Sequence, residues 1–237
     1  MTLPPADGPY LSDAPDQPDT PEAHDAPEVV YEDDALLVLR KPAGLLAVPG
    51  RGADKQDSLS QRVQRRHPGA LVVHRLDMAT SGLMLMARNV QVQRLLNAAF
   101  AERAVDKRYV AVVAGALPRQ DEWQTIDLPI AVDWPRRPLR VIDANHGKPS
   151  VTRWRAMKSS SADLPGTTRV ELEPVTGRSH QLRVHLQALG HPILGDAMYA
   201  PPHVQAMAGR LLLHACRLAF RHPVSGAALS FEDPVPF

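Results

Sequence analysis

The sequence predicts an α+β fold built on a mixed, largely antiparallel sheet flanked by helices. Candidate strands outnumber candidate helices, and most strands follow one another without an intervening helix. No internal repeat breaks the 237 residues into smaller units, and a chain of this length can bury one sizeable core.

Taken in order, Glu28–Tyr31 and Leu36–Lys41 frame the turn Glu32-Asp33-Asp34 as a strand–turn–strand entry. Pro42-Ala43-Gly44 and Pro49-Gly50-Arg51-Gly52 mark a loop. Asp57–His67 reads as a short helix capped by Asp57 or Ser58, with Leu59 and Val63 inward and Arg62, Arg65 and Arg66 outward. Leu71-Val72-Val73 and Leu83-Met84-Leu85-Met86 are strands on either side of a polar loop. Asn89–Arg103 is the clearest helix, with Val92, Leu95, Leu96, Ala99 and Phe100 at helical spacing. Arg108–Ala114, Trp123–Leu128, Thr152–Met157 and Arg169–Glu173 are further strands. A helix begins after Thr176-Gly177 and ends at Gly190, and Leu211–Phe220 with Ala227–Phe231 closes the sheet.

Charge divides the chain. Residues 1–34 hold ten acidic residues and no Lys or Arg, whereas the rest holds 27 basic against 16 acidic residues, a net of +11. That balance suits a protein that grips phosphates. Residues 1–28 carry seven Pro and no hydrophobic periodicity, so they are expected to be a disordered acidic tail preceding a domain over 29–237. One cysteine, Cys216, excludes a disulfide framework and reads as a small hydrophobe on a strand. With no signal-peptide pattern and no apolar run of about 18 residues, a cytoplasmic protein without membrane contact is expected.

The polar loop carries the chemistry. His74-Arg75-Leu76-Asp77-Met78-Ala79-Thr80-Ser81-Gly82 presents one carboxylate between two strands, with an Arg two residues before it. An Arg–Asp surface pair would be the commonplace explanation of such a loop. The nonapeptide, however, closely resembles the catalytic loop of the RluA family of pseudouridine synthases. Lys107-Arg108-Tyr109-Val110-Ala111 is similar to that family's second motif. Pro174-Val175-Thr176-Gly177-Arg178-Ser179-His180-Gln181-Leu182-Arg183-Val184-His185 and Gly190–Asp196 resemble its third motif and continuation, and Arg210–Ala215 its closing strand. The resemblance runs from about Val29 to the C-terminus in the family's motif order.

It implies the pseudouridine synthase fold with a catalytic cleft, in the compact form that lacks an S4-type N-terminal module. It also implies isomerisation of uridine: the C1′–N1 bond breaks, the base turns, and C5 rejoins the ribose. Asp77 would act on the sugar, as a nucleophile at C1′ or as a base at C2′. Tyr109 would stack on the flipped uracil while its hydroxyl assists proton removal at C5. Arg178 would hold Asp77 ionised, a reading favoured because a cation at a helix start opposes the helix dipole and needs an anion elsewhere. Arg75 would fill the gap left by the flipped base.

Lys107 shares a strand face with Tyr109 and is assigned a supporting role on the RNA. Arg183 is expected on phosphate, and Trp134, with Arg136 and Arg137, is expected to stack on a loop base. No cofactor is expected: the chain has neither a phosphate-binding GxxxxGK[ST] loop nor a dinucleotide glycine run. No metal is expected either, since His180 and His185, five apart, fall on different helix faces. The implied partner is RNA, in structured hairpin loops of 23S rRNA, the tRNA anticodon stem-loop, or both, bound by a monomer. A non-catalytic RNA binder would leave Asp77 unexplained. A glycosidase would need a second carboxylate, which the matching motifs lack.

Overall fold

The computed structural model describes residues 26–158 and 164–237. Most of the expected acidic tail therefore lies outside the described residues, and the first strand already begins at Glu28. Twelve strands and four α-helices follow in the order β1 (Glu28–Glu32), β2 (Leu36–Lys41), α1 (Leu59–Arg66), β3 (Leu71–Val72), β4 (Ser81–Ala87), α2 (Val90–Ala101) and β5 (Asp106–Ala114). Then come β6 (Gln124–Asp127), β7 (Ile130–Val132), β8 (Arg140–Ile142), β9 (Val151–Ala156), β10 (Thr167–Pro174), α3 (Gln181–Ala188), α4 (Pro202–Gln205), β11 (Leu213–Arg221) and β12 (Ala228–Glu232).

Ten strands form one sheet with the path β1-β2-β4-β11-β5-β10-β9-β6, with β3 added on β4 and β12 on β11. Every pairing is antiparallel except β11 on β4, where His214 lies opposite Ser81 and Ala215 opposite Gly82. That single parallel join brings β11 to the point where the polar loop enters β4. The chains approach so closely there that a Cβ on Gly82 would sit 2.3 Å from the Ala215 carbonyl oxygen, and its φ of +113° is open only to glycine.

β4 is buried along its whole length, because helices cover both faces of this half of the sheet. On one face α1 packs Leu59 and Val63 against Leu37, Leu39, Met84 and Met86. On the other α2 packs Val92 and Leu96 against Leu36, Val38, Leu83 and Leu85. Leu95, expected on the inner face of α2, is exposed, so the buried stripe is narrower than the periodicity suggested. Over the second half of the sheet, α3 packs Leu182 and Leu186 on Ala111, Val113, Trp154, Val170 and Leu172.

Two local features depart from the sequence reading. A separate two-stranded hairpin, β7–β8, occupies a stretch to which the sequence reading assigned no element. And α3 starts at Gln181, not directly after Gly177. The Gln181 side chain accepts hydrogen bonds from Thr176 Oγ1 (2.7 Å) and the Arg178 N–H (3.0 Å), tying residues 176–181 into a turn.

Candidate active site

The polar loop is the connection between β3 and β4, and it is anchored from below. Lys41 has no exposed surface, and its Nζ donates to the carbonyls of Pro42 (2.7 Å), Leu45 (2.7 Å) and Met78 (3.0 Å). The Gly44 N–H also donates to the Met78 carbonyl (2.9 Å), and the Thr80 N–H closes a turn on the Asp77 carbonyl (3.1 Å). Burial pushes the Lys41 pKa down to about 7, against an upward pull from the Asp77 charge. His74, stacked on Phe100 at 4.7 Å, accepts the Leu85 N–H through Nε2 (2.9 Å). Burial, then the Lys107 charge, drives its pKa to about 3, so it braces the loop as a neutral ring.

Asp77 therefore enters a cleft of about 930 Å³ from a fixed backbone. Arg183, on α3, approaches its Oδ2 through Nη1 at 3.5 Å. The Arg183 side chain is 4% exposed and forms a two-point pair with the buried Asp196, Nε to Oδ2 at 2.8 Å and Nη2 to Oδ1 at 2.6 Å. Burial opposes the Arg183 charge, but Asp196 and then Asp77 more than offset it and raise its pKa. Asp196 Oδ1 also accepts the N–H groups of Met198 and Tyr199, which fixes the turn after α3. On the other side of Asp77, His180 Nε2 lies 4.0 Å from Oδ1, while its Nδ1 meets the Tyr199 hydroxyl at 2.7 Å. Tyr109 and Lys107 line the same cleft from β5. Burial, then the Asp77 charge, pushes the Tyr109 phenol far above its usual range, so it stays protonated. Burial also lowers Lys107.

The profile of the RNA pseudouridylate synthase family matches residues 35–188. The dual-specificity RNA pseudouridine synthase RluA of Escherichia coli is 48% identical over 209 residues, covering 88% of this chain and 93% of its own. The chain belongs to the RluA family of RNA pseudouridine synthases. The RluA of Yersinia pestis is likewise 48% identical, over 88% of this chain and 99% of its own. Human RNA Pseudouridylate Synthase Domain Containing 1 superposes with a TM-score of 0.74 at 30% identity, over 90% of this chain and 85% of that one. The enzyme is an isomerase acting on RNA.

In this pseudouridine synthase the cleft gathers Asp77, Arg75, Tyr109, Lys107, Arg178 and Arg183. Two assignments change. Arg178 is not the partner of Asp77: it sits exposed in the turn before α3, with Nε directed to the Pro149 carbonyl at 3.4 Å. The dipole argument had placed it in the helix, and the Gln181-closed turn removes it. Arg183 takes that place, with its donors directed at Asp196 and Asp77 and not at an open surface where a phosphate was expected. Arg75 is exposed at the cleft wall.

Trp134, Arg136 and Arg137 lie at the tip joining β7 to β8, outside the cleft lining, although Pro138 and Arg140 of the same hairpin reach it. Trp134 is 65% exposed with the Arg137 guanidinium 4.2 Å from its ring centre, whereas Arg136 is held by Asp133 at 2.7 Å. His180, Asp196, Tyr199 and Lys41 were not assigned from sequence. Of these, His180 carried a readable signal, standing three residues before Arg183 and so close to the same helix face. His185, by contrast, turns into the core between Thr152 and the Leu128 carbonyl, at 2.9 and 3.0 Å.

Proposed function

We propose that this enzyme converts uridine to pseudouridine in structured hairpin loops of 23S rRNA, the tRNA anticodon stem-loop, or both. It does so as a cytoplasmic monomer, with Asp77 as the reacting carboxylate. The observation that carries the reading is the Asp77–Arg183–Asp196 chain. It supplies one carboxylate open to the cleft, backed by a cation that is itself locked by a second, fully buried carboxylate. Isomerisation without net hydrolysis needs one such group, acting at C1′ or at the C2′ proton. The buried second carboxylate, turned away from the cleft, leaves no activated water of the kind a glycosidase requires.

Tyr109 offers its ring to the flipped uracil and a neutral hydroxyl to the proton leaving C5; it assists by relaying that proton, as its phenol is not ionised. Arg75 is suited to fill the vacated stack, and Lys107 supports the nucleotide from the Tyr109 strand. The exposed Trp134–Arg137 pair offers a stacking platform with a cation on the hairpin tip.

Asp77→Asn tests the reading. It should abolish tritium release from C5-labelled tRNA and 23S rRNA transcripts while leaving RNA affinity within about twofold, because affinity comes from the basic surface. Wild-type release by the Asn variant would overturn the assignment of Asp77. Mapping pseudouridines in cells with and without the gene would decide the target loops.

A further inference from the structure

His180 is held in an unusual way for a residue with no assigned role. Its backbone is left-handed, φ 57° and ψ 15°, at the residue that caps α3. For a residue with a Cβ this conformation is strained, and it persists only where surrounding contacts demand it. Those contacts are specific. Nδ1 lies 2.7 Å from the Tyr199 hydroxyl, and the imidazole meets the Tyr199 ring edge-on at 5.6 Å. The Tyr199 hydroxyl also accepts the Arg140 N–H at 2.9 Å.

A phenol that accepts from an amide still has its own proton to place. Among the described residues, His180 Nδ1 is the acceptor it meets. Nδ1 is then unprotonated, the imidazole proton sits on Nε2, and Nε2 is the atom aimed at Asp77 Oδ1, 4.0 Å away. The same Tyr199 ring lies under the Arg183 guanidinium at 5.1 Å. One aromatic residue thus backs both groups that face the carboxylate.

We propose that His180 is a positioning residue whose neutral Nε2–H closes onto Asp77 Oδ1 when RNA is bound. The carboxylate is then fixed through both oxygens, with Arg183 on Oδ2. The proposal rests on Asp77 being the reacting carboxylate. A separation of 4.0 Å is beyond a hydrogen bond in the free enzyme, and such contacts tighten on substrate binding. Held by one oxygen, the carboxylate can swing about its own bond; held by two, it presents one orientation to the sugar.

The donor has reason to be neutral. The groups facing His180 are Asp77 from the loop, Arg183 from α3, Arg140 from β8, and Asp196 and Tyr199 from the turn after α3. Burial is the largest influence and lowers its pKa, with Arg183 and Arg140 acting in the same direction against Asp77 and Asp196. A second full cation would stabilise the Asp77 anion further and make it a poorer nucleophile or base. A neutral donor steers it without that penalty.

The test compares His180→Leu, His180→Gln and Tyr199→Phe with Asp77→Asn, using C5-tritiated tRNA and 23S rRNA transcripts. Single-turnover release, RNA affinity and melting are measured for each. His180→Leu should lower the single-turnover rate about tenfold or more, with RNA affinity within about twofold and melting little changed. Gln, which keeps an N–H donor, should recover part of the rate. Tyr199→Phe, which removes only the hydroxyl orienting the ring, should lower the rate in the same way but less.

A wild-type single-turnover rate in His180→Leu, alongside an inactive Asp77→Asn, would overturn this role and leave Asp77 standing. Activity in Asp77→Asn would overturn both. Loss confined to RNA affinity or to thermal stability in the His180 variants would make the residue structural and likewise overturn the proposal.

Discussion

Arg183→Met and Arg178→Met make opposite predictions for two arginines five residues apart. Arg183 Nη1 stands 3.5 Å from Asp77 Oδ2. Opposite charges at that distance interact by about 4 kcal/mol in a medium between protein and water. The Asp77 side chain is 26% exposed, so solvent screens part of this. Roughly half, about 2 kcal/mol, is left to hold Asp77 in place, which corresponds to about 30-fold in rate where that placement limits. Arg183→Met should therefore lower the single-turnover rate of C5-tritium release by about 30-fold with RNA affinity little changed.

The same substitution strands the buried Asp196, a loss of about 3–5 kcal/mol in stability, so melting should be followed in parallel and rates read below the transition. Arg183→Lys keeps a charge but loses the two-point grip on Asp196, and should fall between. Arg178→Met removes an exposed side chain, whose Nε is 3.4 Å from the Pro149 carbonyl, and should leave both melting and the single-turnover rate unchanged. A slowed Arg178→Met, with a normal rate in Arg183→Met, would refute the pairing derived from the geometry.

Tyr109→Phe keeps the ring and should bind RNA normally while losing most of the product; because the Tyr109 phenol is held protonated, the wild-type rate should show no alkaline break from it below about pH 10. Gly82→Ala places a methyl 2.3 Å from the Ala215 carbonyl at a φ of +113°, and should cost at least about 2 kcal/mol, or several degrees in Tm by calorimetry. Lys41→Met should lower stability by leaving three carbonyls without their donor, and should also change its pH dependence. The folded Lys41 pKa of about 7 lies below the ordinary 10.5, so the unfolded chain binds the extra proton between these values. Wild-type stability gains a contribution as pH rises through that window, and urea melts at pH 7 and 9 should show the gain shrinking in the Met variant.

What the sequence disclosed follows from how far each signal reaches along the chain. The apolar run of β4 and the spacing of Val92 and Leu96 are local, and the strand and helix formed where periodicity put them. The β7–β8 hairpin was illegible because its strands are three residues each, too short for alternation to register, with Trp134-Pro135 and Pro138 between them. The loop bearing Asp77 was legible through resemblance and polarity together.

Its cation was not, because Arg178 and Arg183 differ only in which side of the helix start they fall. That boundary is set by the Gln181 side chain folding back on Thr176, a contact that propensities do not encode. Asp196 lies 13 residues beyond Arg183 across a turn, and nothing in the intervening sequence announces the pairing. Arg183 was therefore read as a cation for RNA phosphate, although 4% exposure leaves it little open surface to offer one.

The parallel join of β11 to β4 has a consequence for how the enzyme is made. Ser81 and His214 meet across 133 residues of chain, 2.8 Å apart. β11 also separates β4 from β5, so the strand carrying Tyr109 and the strand following Asp77 are not neighbours until β11 has slid between them. Closing so long a loop is entropically slow, and it cannot begin before the ribosome has released the chain through β11. A nascent enzyme therefore has no finished cleft, and no means of acting on RNA, until β11 has docked between β4 and β5.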